Sequence, residues 1–169
     1  MRHVTLVTTG GTIEKTYDER TGELINRGSI VRRMLQRLRL EDTRVSIVEL
    51  LSKDSLFMTD ADRELIAAAV ANHQSLCQSI IVLHGTDTLS LTGELLYTRF
   101  SPPRIPIVLT GAMRPYEMKR SDALQNLTEA IFATGVLAPG VYCVTHGRAL
   151  PFPGVVKDRN SGTFIRPPL

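Results

Sequence analysis

Small hydroxyl and glycine residues gather where the β-branched runs of this 169-residue chain stop. Thr9-Gly10-Gly11-Thr12 follows the first run, Lys53-Asp54-Ser55 the second, and Gly85-Thr86-Asp87-Thr88 the third. The fourth run leads into Gly111-Ala112-Met113-Arg114-Pro115 and the fifth into His146-Gly147-Arg148, with Lys157 and Asp158 shortly beyond. A threonine hydroxyl becomes a nucleophile only when a base takes its proton. Two hydroxyls are placed for such chemistry: Thr12, behind glycines whose backbone can approach a ligand closely, and Thr86, beside the carboxylate of Asp87. Bases are few. His3, His73, His84 and His146 lack HExxH or HxH spacing, which argues against a zinc site, and no GxSxG nucleophile elbow is present. A lysine is left, and Lys157 opposite Asp87 is the candidate base. The Gly-Gly-Thr turn lacks both the third glycine of a dinucleotide fingerprint and the Gly-Lys-Ser/Thr of a P-loop. Taken alone it reads equally well as a tight strand-to-helix turn.

The elements that must position these residues are legible from periodicity. His3–Thr8, Arg44–Leu51, Ser79–His84, Ile105–Thr110 and Val141–Thr145 are short and mostly continuously apolar, as strands buried on both faces are. Helical periods fill the gaps at Ser29–Leu38, Asp60–Asn72, Ser90–Thr98 and Ser121–Thr134. Thr59 and Asp62 are spaced as a capping box, and Ser121 is the expected N-cap of the last helix. Strand–helix alternation predicts an α/β fold: a single doubly wound parallel sheet of about five strands in a Rossmann-like or flavodoxin-like three-layer sandwich. Ligands of such sheets bind outside the carboxyl ends of the strands, where the hydroxyls and charges of this chain collect. Lys15–Gly28 is polar and without core-forming period, and fits a lid or an idle surface hairpin alike.

Composition narrows the function classes. With 20 Lys+Arg against 17 Asp+Glu the formal charge is only +3, and the arginines at 32, 33, 37 and 39 read as the solvated face of their helix. No nucleic-acid partner is expected. Neither is a membrane one, because no apolar run approaches the ~20 residues of a spanning helix. The first residues lack the apolar core and cleavage site of a signal peptide. Cys77 and Cys143 have no metal-type spacing and read as reduced core thiols, so the expected location is cytoplasmic. One domain over 1–169 is the expected organisation.

Thr8-Thr9-Gly10-Gly11-Thr12-Ile13 and His84-Gly85-Thr86-Asp87-Thr88-Leu89 resemble the two signature motifs of the bacterial-type L-asparaginases. Leu109-Thr110-Gly111-Ala112-Met113-Arg114-Pro115 is similar to that family's third recurring segment, and Ser121-Asp122 with Asn126 to its Ser-x-Asp/Asn helix start. The motifs fall in the family's order, one per strand end. The resemblance implies hydrolysis of L-asparagine to L-aspartate and ammonia without a cofactor. Thr12 matches the nucleophilic threonine and Tyr17 the tyrosine that assists it. Thr86, Asp87 and Lys157 match the family's triad of threonine, aspartate and lysine. Ser55 matches the serine that receives the substrate α-carboxylate, and Asp87 also holds the α-ammonium. Backbone N–H groups of the Gly11–Thr12 and Gly85–Thr86 turns are expected to meet the oxyanion.

The chain also departs from the pattern. Leu56 follows Ser55 where a polar residue is usual, and the sequence corresponds to a short form with only the N-terminal domain. Closing such a site implies a homo-oligomer, a dimer or a tetramer. Two further readings stay open: a glutaminase or amidotransferase-type subunit that releases ammonia for a partner, and a non-catalytic amino-acid-binding module.

Overall fold

The computed structural model describes residues 1–168. Strand β1 (Arg2–Gly10) ends in a single 3₁₀ turn over Thr12–Glu14 and is followed by a hairpin of β2 (Thr16–Asp18) and β3 (Glu23–Ile25). Helix α1 (Val31–Leu35) leads into β4 (Thr43–Lys53), a 3₁₀ turn at Ser55–Phe57, α2 (Asp60–His73) and β5 (Ser79–Leu83). Then come α3 (Leu89–Arg99), β6 (Pro106–Thr110), α4 (Ala123–Ala133), β7 (Gly140–Thr145) and β8 (Arg148–Pro151). A last hairpin pairs β9 (Val156–Asp158) with β10 (Thr163–Ile165).

The main sheet has six strands in the order β4-β1-β5-β6-β7-β8, all parallel except β8. Counting only the parallel strands, the order is the flavodoxin-like 2-1-3-4-5, so the chain reverses direction of winding between β1 and β5. The expectation of about five strands falls one short. Edge strand β8 is four residues long and mostly exposed, so it carries no apolar signal, and it returns from β7 through a two-residue turn. His146 (φ 51°) and Gly147 (φ 76°) occupy that turn, both left-handed, as a type I′ hairpin requires.

Period two along the strands splits the core between two faces. Ile80 and Val82 of β5, with Ile107 and Leu109 of β6, pack against α2 and α3 through Ile66, Val70, Leu89 and Leu96. Ile81, Leu83 and Val108 face α1 and α4 through Met34, Leu127 and Ile131. The capping box forms as expected: Thr59 Oγ1 accepts from the Asp62 amide and the Asp62 carboxylate accepts from the Thr59 amide. Two helix starts differ from expectation. The first helix is regular for only five residues of the expected Ser29–Leu38, and beyond it the chain continues in tighter turns, with the Arg37 amide donating to the Met34 carbonyl and the Leu38 amide to the Leu35 carbonyl. At α4 the N-cap position belongs to Asp122, not Ser121. Its carboxylate turns back instead to the Met113 and Arg114 amides, at 2.9 and 3.0 Å, and ties down the loop after β6. Cys77 and Cys143 are buried and unpaired. Among the described residues no helix is long and apolar enough to cross a membrane.

Candidate active site

The reversal point between β1 and β5 brings the turns that follow these two strands, the first and third of the strand-end turns, into contact. Gly10 and Gly11 both take positive φ, and a Cβ on Gly11 would lie 2.4 Å from the backbone N and Cα of Gly85. Only glycine allows the two turns to touch. The Gly11 amide donates to the Lys53 carbonyl at 2.9 Å, and its carbonyl accepts from the Asn26 side chain at 2.8 Å. Thr12 therefore opens its 3₁₀ turn from a backbone held on three sides. Because the Gly11 N–H is already engaged, the donor that this turn has left for an oxyanion is the Thr12 N–H.

The third turn is locked from below. His84 is fully buried, and burial pushes its imidazole down to about 4, so it is neutral at physiological pH. Nδ1 lies 2.8 Å from the Gly85 carbonyl, which can only accept, so Nδ1 carries the proton and Nε2 accepts from Thr92 Oγ1 at 2.7 Å. His84 is thus a brace for the turn, in keeping with its exclusion as a base. Thr86 is buried, and its Oγ1 accepts from Lys157 Nζ at 2.7 Å. The same ammonium lies 2.9 Å from Asp87 Oδ1. Lys157 reaches this point because Phe164, its cross-strand partner on β10, is wholly buried and anchors the hairpin in the core.

Ser55 lies directly against the third turn: a Cβ on Gly85 would be 2.5 Å from Ser55 Oγ. Ser55 is buried and its Oγ has no hydrogen-bond partner, an acceptor and donor waiting at a strand end. Its carbonyl accepts from Thr88 Oγ1 at 3.0 Å, coupling the second and third turns. The structure thus gathers Gly11, Thr12, Ser55, Thr86, Asp87 and Lys157 on one edge. Tyr17 stands apart from them. It lies in β2 with a side chain 57% exposed, its hydroxyl over Gly22 at the hairpin's own turn, and its amide donates to Glu117 at 2.8 Å. The polar segment before Gly28 is therefore a hairpin, with a groove of about 470 Å³ between it and Glu117 and Met118.

Sequence reasoning missed several charges at this edge. Arg159 Nη2 sits 3.0 Å from Asp87 Oδ1, so that oxygen meets two cations. Its place two residues after Lys157, at the start of the β9–β10 turn, was the available signal. Lys15 pairs with Asp54 at 2.6 Å, a contact 39 residues apart that no local pattern announces. Burial opposes ionisation of Asp54, but the Lys15 hydrogen bond, the Leu56 amide and the charges of Lys15 and Lys157 hold it below the usual carboxylate range. Asp122 behaves alike: against burial, the Met113 amide, His146 and the Arg114 amide keep its carboxyl low.

Glu14 was also missed. It is buried two residues after Thr12, with Oε2 accepting from the Gly10 amide at 3.1 Å and Oε1 from the Ser29 hydroxyl. Burial pushes its carboxyl up to about 7, with Glu49 adding to the rise, against the opposing pull of Ser29 and the Gly10 and Ile30 backbone. The native state then binds the proton more tightly than the unfolded chain does, so the contribution to stability is complete below about pH 4.5 and is lost as pH rises through 7. A shift of this size corresponds to about 3 kcal/mol across that window. Chemical denaturation from pH 5 to 8 is expected to show the loss in wild type and not in Glu14→Gln. Parallel curves for the two proteins would contradict it.

A model of the asparaginase N-terminal domain matches residues 3–163. An L-asparaginase of Thermococcus kodakarensis is 31% identical over 134 residues, 79% of this chain and 41% of the relative. A glutamyl-tRNA(Gln) amidotransferase subunit of Thermoplasma acidophilum is 32% identical over 142 residues, 79% of this chain and 33% of the relative. Among solved structures, the thermostable L-asparaginase of T. kodakarensis superposes with a TM-score of 0.87 at 27% identity, over 97% of this chain and 51% of that one. L-asparaginase I of Vibrio cholerae gives 0.84 at 25% identity, over 99% and 52%. The chain spans about half the length of these solved chains and less of the curated relatives.

Proposed function

The chain belongs to the asparaginase family, and we propose that it is an amidohydrolase that cleaves the side-chain amide of L-asparagine to L-aspartate and ammonia. The observation that carries this reading is the Thr86–Lys157–Asp87 contact, at 2.7 and 2.9 Å, on the edge where Gly11, the residue before Thr12, packs against Gly85. In this reading Thr12 Oγ attacks the amide carbon, and Lys157, reached through the Thr86 hydroxyl, manages the proton that leaves it. The proton passes to the amide nitrogen as ammonia departs, and water then releases the acyl group from Thr12. With the Gly11 amide engaged, the oxyanion would be met by the Thr12 and Thr86 amides. The unpartnered Ser55 hydroxyl would receive the α-carboxylate. Asp87 would receive the α-ammonium through Oδ2, because Oδ1 already faces Lys157 and Arg159. Ammonia release from asparagine and from glutamine, side by side, tests the assignment.

A second reading is favoured by the relatives called glutamyl-tRNA(Gln) amidotransferase subunits, in which the same edge would release ammonia for a partner. Ammonia release that appears only with a copurifying partner would select it. In either case Leu56 is 62% exposed beside Ser55, so the rim offers an apolar side chain where a polar contact is expected. That favours a homo-oligomer, dimer or tetramer, in which a second copy covers the strand ends. The hairpin carrying Tyr17 would close over bound substrate. Amide exchange over residues 16–25 is therefore expected to slow at least several-fold in saturating aspartate, and an unchanged rate would remove the hairpin from the mechanism.

A further inference from the structure

Glu14 takes no part in the chemistry above, yet it is the one carboxyl buried within two residues of Thr12. A buried acid is costly unless its oxygens are satisfied, and both oxygens of Glu14 reach backward and outward at once. One accepts from the amide of Gly10, the residue that starts the turn presenting Thr12. The other accepts from Ser29, in the strap that links the β2–β3 hairpin to α1, and Ser29 Oγ in turn accepts from the Val31 amide at 3.3 Å. In the same strap the Asn26 side-chain amide donates to the Gly11 carbonyl at 2.8 Å, and the Gly28 amide donates to the Ser52 hydroxyl oxygen at 3.0 Å. Turn and strap are therefore stitched together at two part-buried points, and Glu14 makes the one that continues through a buried bond to the Gly10 amide.

We infer that Glu14 is a positioning residue that couples the hairpin strap to the Thr12 turn, so that the orientation of the nucleophile depends on the bonds its carboxyl makes to Gly10 and Ser29. The inference rests on the reading of Thr12 as nucleophile for its catalytic consequence, though not for the coupling itself. The surroundings make the link responsive to protonation. From β4, Glu49 faces Glu14 and is itself 3.8 Å from Arg32 of α1. The cations on the other neighbouring elements are engaged elsewhere: Lys15 with Asp54, Arg27 with Asp18, and Lys53 with Asp62. Among the described residues no lysine or arginine pairs with the carboxylate, whose proton is bound until about neutral pH. A cleft of about 240 Å³ lined by Thr8, Gly28, Ser29 and Glu49 reaches the Ser29 end of the link. When Glu14 ionises, both accepted bonds become charge-assisted and tighter. Turnover is expected to rise with that ionisation.

Three variants test the coupling. Glu14→Ala removes both bonds. Glu14→Gln copies the protonated form, since its carbonyl can accept from Gly10 and its amide can donate to Ser29. Ser29→Ala cuts only the strap end. Amide exchange of residues 10–12 and 16–25, corrected for intrinsic rate and read without substrate, is expected to speed up about tenfold in Glu14→Ala and severalfold in Ser29→Ala, with α2 to α4 unchanged. For asparagine hydrolysis, kcat is expected to fall about tenfold in Glu14→Ala with KM moved less than threefold. The kcat step near pH 7 should vanish in Glu14→Gln. If Glu14→Ala does not fold, Glu14→Gln and Ser29→Ala decide alone. Exchange confined to wild-type rates in both segments, or a pH step that persists in Glu14→Gln, would overturn the inference. A wild-type chain that released no ammonia would instead count against the function, while the exchange data would still judge Glu14.

Discussion

Replacing Thr12 by alanine is expected to lower ammonia release from asparagine on the order of ten-thousand-fold, the scale of losing a covalent nucleophile. The fold should not change. Thr12 is only partly buried at a strand end, and the tethers that shape its turn belong to Gly10, Gly11 and Glu14, so deleting its hydroxyl orphans no buried partner. The thermal midpoint is thus expected within a few degrees of wild type, and bound aspartate should still protect the hairpin. Lys157→Met should share the loss of turnover, because Arg159 still faces Asp87 in its absence but is not the cation at the Thr86 hydroxyl. A Thr12→Ala enzyme that retained even a tenth of its rate would remove Thr12 from the nucleophile's role. The non-catalytic reading of the same fold shares the retained aspartate binding but predicts no turnover in wild type.

The strands and the order of the motifs were legible because the interior strands β1, β5 and β6 are buried along most or all of their length and leave apolar runs ended by glycine or hydroxyl residues, while the partly buried edge strand β4 was marked by its β-branched residues. Ser79–Leu83 and Pro106–Thr110 are buried throughout, and their bounds lie close to the apolar runs. Strand β8 was not legible, since a short exposed edge has no burial to write into its sequence. The same reasoning sorts the site. Gly11, Thr12, Ser55, Thr86 and Asp87 stand immediately after strands, where topology alone determines their position. Lys157 arrives from a separate hairpin, and its placement depends on Phe164 entering the core, which no local spacing reports. Contacts made by folding the chain back on itself, such as Lys15 with Asp54 and Asn26 with Gly11, have no periodic signature at all. Tyr17 shows the limit from the other side: its segment aligns with a lid, while its ring rests over its own hairpin turn.

Gly11 provides the second large effect, and it separates geometry from chemistry. Alanine at position 11 meets two independent penalties. Its φ of 76° with ψ of −178° lies in a region that L side chains rarely adopt, a strain of about 1–3 kcal/mol. The new Cβ would also overlap backbone atoms of Gly85 at 2.4 Å, and backbone cannot rotate aside as a flexible side chain can. Overpacking of that kind adds about 1–3 kcal/mol. The total is a large fraction of the stability of a domain this size. Relief requires the first and third turns to separate, which draws Thr12 away from Thr86 and Lys157. A displacement near 1 Å is enough to cost about a hundredfold in rate. Gly11→Ala is therefore expected to lose both stability and turnover with every reacting group still present. Gly28→Ala is the matched control: its φ is 70°, but a Cβ there meets nothing within 4 Å. Only left-handed strain remains at that position, about 1–2 kcal/mol. Urea denaturation and kcat measured on both variants test the argument. If Gly11→Ala were no less stable than Gly28→Ala, the close approach of the two turns would not be what holds the Thr12 turn in place. If it were less stable yet equally active, Thr12 would not need its present distance from the third turn, and the pairing of the two motifs would lose its catalytic meaning.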